Sequence, residues 1–192
     1  DSARNEYQSA DKLLGQRDIP GAITHLKKAV EIAPQFASAW NHLGTIAYQT
    51  HRYHEAEGYF RRALEADPQA YEPLVNLGGV LVTLGREPEA WNYNLNAVLR
   101  RPNDALAQSQ MGMTYFGLGQ FDLAERYLLE ARRLDAGHFS HPQLLLAEIY
   151  LRRHQNDKAA AQIDDFLRHH PDYPQAEELK RGISKLRHSP GA

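Results

Sequence analysis

Positions 34 residues apart match one another along this chain. Ala22, Ala56, Ala90 and Ala124 keep that step, as do Ala29, Ala63, Ala97 and Ala131. Pro34, Pro68 and Pro102 follow it, and so do Gly44, Gly78 and Gly112, and Leu43, Leu77 and Met111. A period of this length marks one supersecondary unit whose apolar face is covered only when copies stack. The clearest copy is 37–70. Within it Trp40, Leu43, Gly44 and Ala47 fall at i, i+3, i+4 and i+7, one stripe of a helix. Ala56, Phe60, Ala63 and Leu64 form a second stripe. Between the stripes, Gln49 to Tyr53 is a polar break without Gly or Pro, and Asp67-Pro68 closes the copy. Each copy therefore reads as two amphipathic helices joined by a tight turn.

The order of a large residue, Leu, Gly or Ala, aromatic, Ala, aromatic or Leu, Ala and Pro at this period resembles the tetratricopeptide repeat. The resemblance implies an all-α fold, a right-handed superhelical α-solenoid of five helix-turn-helix repeats plus a C-terminal capping helix, used to bind partners. On this reading 1–192 is a single solenoid domain, with repeats at about 3–36, 37–70, 71–104, 105–138 and 140–173 and the capping helix at 174–187.

Departures from the pattern are informative. The first repeat has Glu6 and Ser9 at the Trp and Leu positions, which suits a repeat with no neighbour on one side. Asp18 is placed to cap its second helix, with Pro20 in the first turn. Asn94 stands where other second helices have Leu26, Phe60 and Leu128. Either Asn94 is buried and hydrogen-bonded, or the helix turns so that Trp91 and Leu95 take the contact; an exposed Trp91 could serve a partner. Ala136 replaces the expected proline, and the register then slips by one residue at Phe139. Phe166 replaces a small alanine, so altered packing is expected there. Ala176, Leu179, Ile183 and Leu186 mark one apolar stripe on a final helix that can cover the last repeat. Ser189 to Ala192 reads as a frayed tail.

Composition excludes several classes. The chain is 42% apolar and 24% charged, as folded soluble proteins are. A net charge of −2 argues against general affinity for nucleic acid or acidic membrane. No apolar run reaches the roughly 18 residues a membrane helix needs, so no membrane insertion is expected. There is no cysteine, which removes disulfides, thiolate metal sites and cysteine nucleophiles together. The chain begins at Asp1 without a signal peptide, as a processed form or excised segment would, and a cytoplasmic location is favoured over export.

Catalytic and metal chemistry find no support. H-E-x-x-H, P-loop and G-x-S-x-G motifs are absent. The pairs His51 and His54, His138 and His141, and His169-His170 lack a clear third ligand and are expected on the solvated surface. No catalytic residue, metal site or cofactor is expected. Lys27-Lys28, Arg61-Arg62, Arg100-Arg101 and Arg132-Arg133 lie late in second helices, where cations complement the helix dipole, and nearby acids disfavour a nucleic-acid stripe.

One stripe remains for function. In the family resembled, a row beside the core stripe of the first helices lines a concave groove. Here it reads Tyr7, Asp11, Leu14; Asn41, Thr45, Tyr48; Val75, Gly79, Val82; Ser109, Met113, Phe116; and Leu144, Glu148, Leu151. The candidate partner-binding residues are Tyr7, Asn41, Thr45, Tyr48, Val75, Asn76, Val82, Met113 and Phe116. Leu14, Tyr48, Val82, Phe116 and Leu151 could instead only pack first helices together. Tyr7, Asp11, Asn41, His42, Glu72 and Asn76 include no lysine, so a clamp for a C-terminal carboxylate is disfavoured. The expected function is a non-enzymatic protein-interaction module, an adaptor or scaffold holding a peptide segment, as a monomer or weak homo-oligomer. The alternatives are a regulatory or substrate-docking segment of a larger enzyme, or a self-associating assembly protein.

Overall fold

The computed structural model describes residues 2–189, so most of the expected C-terminal tail lies outside the described residues. Within them the chain is all helical. The helices are α1 (Ser2–Gly15), α2 (Ile19–Ile32), α3 (Ala37–Gln49), α4 (Tyr53–Ala66), α5 (Tyr71–Thr83), α6 (Glu87–Arg100), α7 (Ala105–Gly117), α8 (Phe121–Leu134), α9 (Pro142–Arg152), α10 (Asn156–His169) and α11 (Ala176–His188). Contacts separate into two compact units that divide between Asn94 and Leu95, inside α6. In the first unit α1 packs on α2, α2 on α3, α3 on α4 and α4 on α5. In the second, α7 packs on α8, α8 on α9, α9 on α10 and α10 on α11.

The small residues of the 34-residue pattern set the approach of the paired helices. A Cβ added to Gly44 on α3 would lie 2.5 Å from the Phe60 ring of α4. One added to Gly112 on α7 would lie 2.7 Å from Leu128 of α8. At Gly78 it would lie 2.0 Å from the Asn94 side chain. Phe60, Leu128 and Asn94 are each buried. Asn94 therefore takes the contact position itself, while Trp91 and Leu95 are half-buried. The periodic alanines Ala22, Ala29, Ala56, Ala63, Ala90, Ala97, Ala124 and Ala131 are all fully buried.

Five turns join the first to the second helix of each pair, and they share one geometry. Arg17 (φ 61°), His51 (φ 61°), Gly85 (φ 69°), Gly119 (φ 74°) and His154 (φ 57°) are left-handed. The residue after each donates its N–H five residues back, as from Asp18 to Leu13 (2.9 Å) and Arg86 to Leu81 (2.9 Å), closing the helix end. Glycine meets this demand without strain, whereas Arg17, His51 and His154 bear a cost of about 1 kcal/mol. Asp18 caps α2 as expected, accepting from the Gly21 N–H at 3.0 Å.

The inserted residue is resolved by turning Phe139 outward, where it is 71% exposed beside His138. The next helix begins only at Pro142 and is capped by His141 in a left-handed conformation (φ 52°). The chain closes with α11, which buries Ile183 and partly buries Leu179 and Leu186 against the core of the second unit.

Two expected outcomes follow from this packing. Gly44→Ala is destabilising, because overpacking against the buried Phe60 ring costs about 1–3 kcal/mol and outweighs the helix-propensity gain. Gly58→Ala, on the exposed face of α4 with nothing within 4 Å of the added Cβ, is stabilising, by roughly 0.5–1 kcal/mol. Denaturant melts of the two variants separate in opposite directions from the parent; equal shifts would refute the close-approach account. Deleting 174–192 removes three apolar contacts worth together about 3–6 kcal/mol, so the second unit should melt well below its parent.

Candidate partner-binding surface

In the first unit the stripe begins at Tyr7 on α1. Its ring lies 4.8 Å from Phe36 and stacks on His42 at 5.2 Å. The His42 Nδ1 is 3.4 Å from the Asp11 carboxylate. Burial raises the Tyr7 phenol above its ordinary pKa, and the Asp11 charge adds to this. On α3 and α5 two amides meet: Asn76 Nδ2 donates to Asn41 Oδ1 at 3.0 Å. Both residues are half-buried. Thr45 is tied to its own helix, donating from Oγ1 to the Asn41 carbonyl at 3.0 Å. Tyr48 is 38% exposed, lies edge-on to Tyr53, and shares a 2.9 Å hydrogen bond with Thr83 Oγ1. Val82 is half-buried and packs against the core. Val75 is only 5% exposed and offers almost no surface, because its side chain is spent on packing.

The structure thus brings Asn41, Thr45 and Asn76 together, with Tyr48 and Thr83 at the other end of the same helices. Thr83 was not among the expected residues. Its spacing from Asn76, i+7, was the available signal.

In the second unit Met113 is half-buried, while Ser109 is fully buried and unavailable. Phe116 lies edge-on to Phe121 at 5.3 Å. The Arg152 guanidinium sits over both rings, 5.5 Å from Phe116 and 5.4 Å from Phe121, and pairs with Glu148 at 2.8 Å. Leu151 is 39% exposed beside it. Arg152 was missed from sequence because its partners come from three different helices.

Charged clusters tie neighbouring pairs together elsewhere. Arg61 and Arg86 both bond to Glu57, at 2.9 and 2.7 Å, and Arg86 also bonds to Glu89 at 2.8 Å. Burial works to raise the Glu57 carboxyl, but hydrogen bonds from Arg61 and Arg86 outweigh it and hold the pKa below the usual range. In the second unit Glu125 accepts from Tyr150 at 2.8 Å and from Arg153 at 2.6 Å. Burial and the Glu125 contact push the Tyr150 phenol up to about 12. Two of the basic pairs are similarly engaged: Arg62 with Glu65, Arg133 with Glu130, and Arg132 with Gln162.

The histidines divide. His51, His54 and His169 are exposed, but His138, His141 and His170 are half-buried, which corrects the expectation of a solvated surface. His141 and His170 pack against Phe166 and each other at the end of α10, and His138 packs on Phe139. No group of three or more potential metal ligands occurs among the described residues. No helix among them is long and apolar enough to cross a membrane.

Comparison with known proteins agrees with this geometry. A tetratricopeptide repeat model matches residues 7–71 and 45–105, and a second matches residues 105–138. The chain belongs to the tetratricopeptide repeat family. It is 26% identical over 109 residues to a TPR repeat-containing protein of Rhizobium etli, covering 55% of this chain and 52% of that protein. The chain thus spans about half the length of that relative. Its fold resembles that of PilW, a widely conserved type IV pilus biogenesis factor, with a TM-score of 0.83, 23% identity, and coverage of 96% of this chain and 86% of that one. It also resembles YrrB, a TPR protein with an unusual peptide-binding site, with a TM-score of 0.72, 26% identity, and coverage of 92% and 90%. Proteins of this family generally mediate protein–protein interaction, and the fold is typically non-catalytic.

Glu57→Gln should cost about 1.5–3 kcal/mol of stability, since it weakens charge-assisted bonds at a half-buried site. Because the folded-state pKa of Glu57 is depressed, its contribution is complete above the unfolded value of about 4.5 and drains as pH falls through the folded value. Melts at neutral pH and near pH 3 should show the variant's deficit shrinking in acid; a deficit independent of pH would refute the assignment.

Proposed function

We propose that the chain is an adaptor that binds an extended peptide segment of a partner protein along its first helices. The Asn41–Asn76 amide pair carries this reading. The single bond between them uses Asn76 Nδ2 and Asn41 Oδ1. That leaves a donor on Asn41 and an acceptor on Asn76 without a side-chain partner among the described residues, the complement of one peptide unit's C=O and N–H. Tyr7 and Tyr48 flank the pair with apolar rings carrying polar tips, a combination that concentrates binding energy. In the second unit, Met113, Phe116 and Leu151 form a more apolar stretch suited to partner side chains. The peptide-binding character of the similar protein YrrB supports the same reading.

The test begins with a phage-displayed random peptide library panned on the full chain, followed by calorimetry on the selected peptide. Asn41→Ala with Asn76→Ala should weaken binding at least about tenfold, roughly 1.4 kcal/mol, with a near-normal melt. Met113→Ala and Phe116→Ala probe the second unit separately. Arg62→Ala, whose guanidinium lies 6.0 Å from the Trp40 ring on a second helix, should leave affinity unchanged. Affinity that survives the amide changes but falls with Arg62→Ala or Trp91→Ala would place the surface on the second helices and defeat the proposal.

A further inference from the structure

The second unit contains an aromatic cluster that the 34-residue pattern does not explain. Phe166 is fully buried at the position where other second helices carry Ala29, Ala63, Ala97 and Ala131. Its ring is surrounded by His141 at 5.0 Å, His170 at 4.8 Å and Tyr173 at 4.9 Å. The two imidazoles stand edge to face at 4.6 Å. His141 is the N-cap of α9, His170 is the C-cap of α10, and Tyr173 lies in the connection to α11. The ends of three helices therefore converge on one cluster that contains two titratable rings.

The His141 ring is poorly placed to accept a proton, because burial disfavours its charged form. His141 Nδ1 and His170 Nε2 are buried and have no hydrogen-bond partner among the described residues. Charging a buried ring is unfavourable, and at His141 burial outweighs the opposing effect of the His138 backbone. The charges on surrounding elements do not relieve it. On α10, Asp165 is engaged by Gln143 of α9 at 2.9 Å and by Arg168 at 3.1 Å, with His169 at 3.8 Å. On α11, Glu177 pairs with Lys180. Before α9, His138 bonds through Nδ1 to Ser140 and accepts the His141 N–H on its carbonyl, while Asp135 and Asp104 act on His138. No carboxylate forms an ion pair with His141 or His170 among the described residues.

We propose that His141, packed on Phe166 and His170, is a pH-sensitive latch, which holds the ends of α9 and α10 and the connection to α11 together while its ring is neutral and loosens them when it is protonated. The direction of pH dependence follows from linkage. Burial lowers the His141 pKa, with the neighbouring His170 acting in the same sense, and burial likewise lowers that of His138. The unfolded chain takes up these protons near the ordinary value of about 6.5, before the folded chain does, so stability is complete above that pH and drains as pH falls below it. This window lies above that of Glu57, so the two effects separate on the pH axis.

Hydrogen exchange on the full chain tests the latch. Between about pH 7.5 and 5.5, with rates corrected for intrinsic exchange, protection across 142–188 should fall about threefold or more, and across 2–94 it should fall less. His141→Asn with His170→Phe keeps a residue tolerant of the left-handed conformation and an aromatic ring against Phe166. It should abolish the acid loss. A wild-type profile flat in pH, or an unchanged loss in the double variant, overturns the proposal. Should the double variant fail to fold, imidazole titration of the wild type by NMR decides the matter: a His141 midpoint below 6.5 supports the latch, and one at or above it refutes it.

Discussion

The close approach of two helices at a single small residue is the constraint on which the repeat depends. Gly44 faces Phe60, Gly78 faces Asn94 and Gly112 faces Leu128, each at a distance that leaves no space for a Cβ. The first and last pairs use Ala10 with Leu26 and Ala147 with Ile163 in the corresponding places, all buried. With the backbones this near, the flanking alanines are fully enclosed, and a large side chain from one helix fills the space left by the other. Hydrophobic burial provides the driving force, but the shape of this contact selects the pairing. Asn94 shows that the position demands size more than apolar character.

This packing frees one row of each first helix for other uses. Because the core row is filled by Leu43, Gly44 and Ala47, the adjacent row can carry polar groups at little cost. Asn41 and Asn76 bond to each other, Thr45 bonds to its own helix, and Tyr48 bonds to Thr83 of α5. Such bonds restrict the side chains in the free protein, which would reduce the entropy lost if the proposed peptide binds there. The second unit carries a different chemistry on its row, with aromatic rings and a guanidinium held over them. The rows of the two units thus differ in chemistry.

The insertion at Phe139 shows how a single residue changes local chemistry. Its side chain is expelled to solvent, the next helix starts late, and a non-glycine residue caps it in a left-handed conformation. Phe166 then takes the position that alanine holds in the other repeats, and His141 and His170 pack against it. A local disturbance of the repeat has become the most aromatic, least regular part of the second unit.

The sequence by itself determined the class of fold. The 34-residue step, the helical stripes and the Asp18 cap are properties of neighbouring residues and fixed spacing, which local physics translates directly into helices and turns. It also suggested the row proposed here as the binding surface. Some features could have been read but were not: Arg17 and His51 share a register with Gly85 and Gly119, and that alignment marks a left-handed turn. The tertiary structure alone decided which members of the row remain accessible. Val75 and Ser109 have the right spacing yet are buried, whereas Asn41 meets Asn76, and Arg152 finds Phe116 and Phe121. Likewise, the burial of His141 and His170 depends on how the chain closes after an insertion. Accessibility and pairing are set by residues distant in sequence, so no local pattern encodes them.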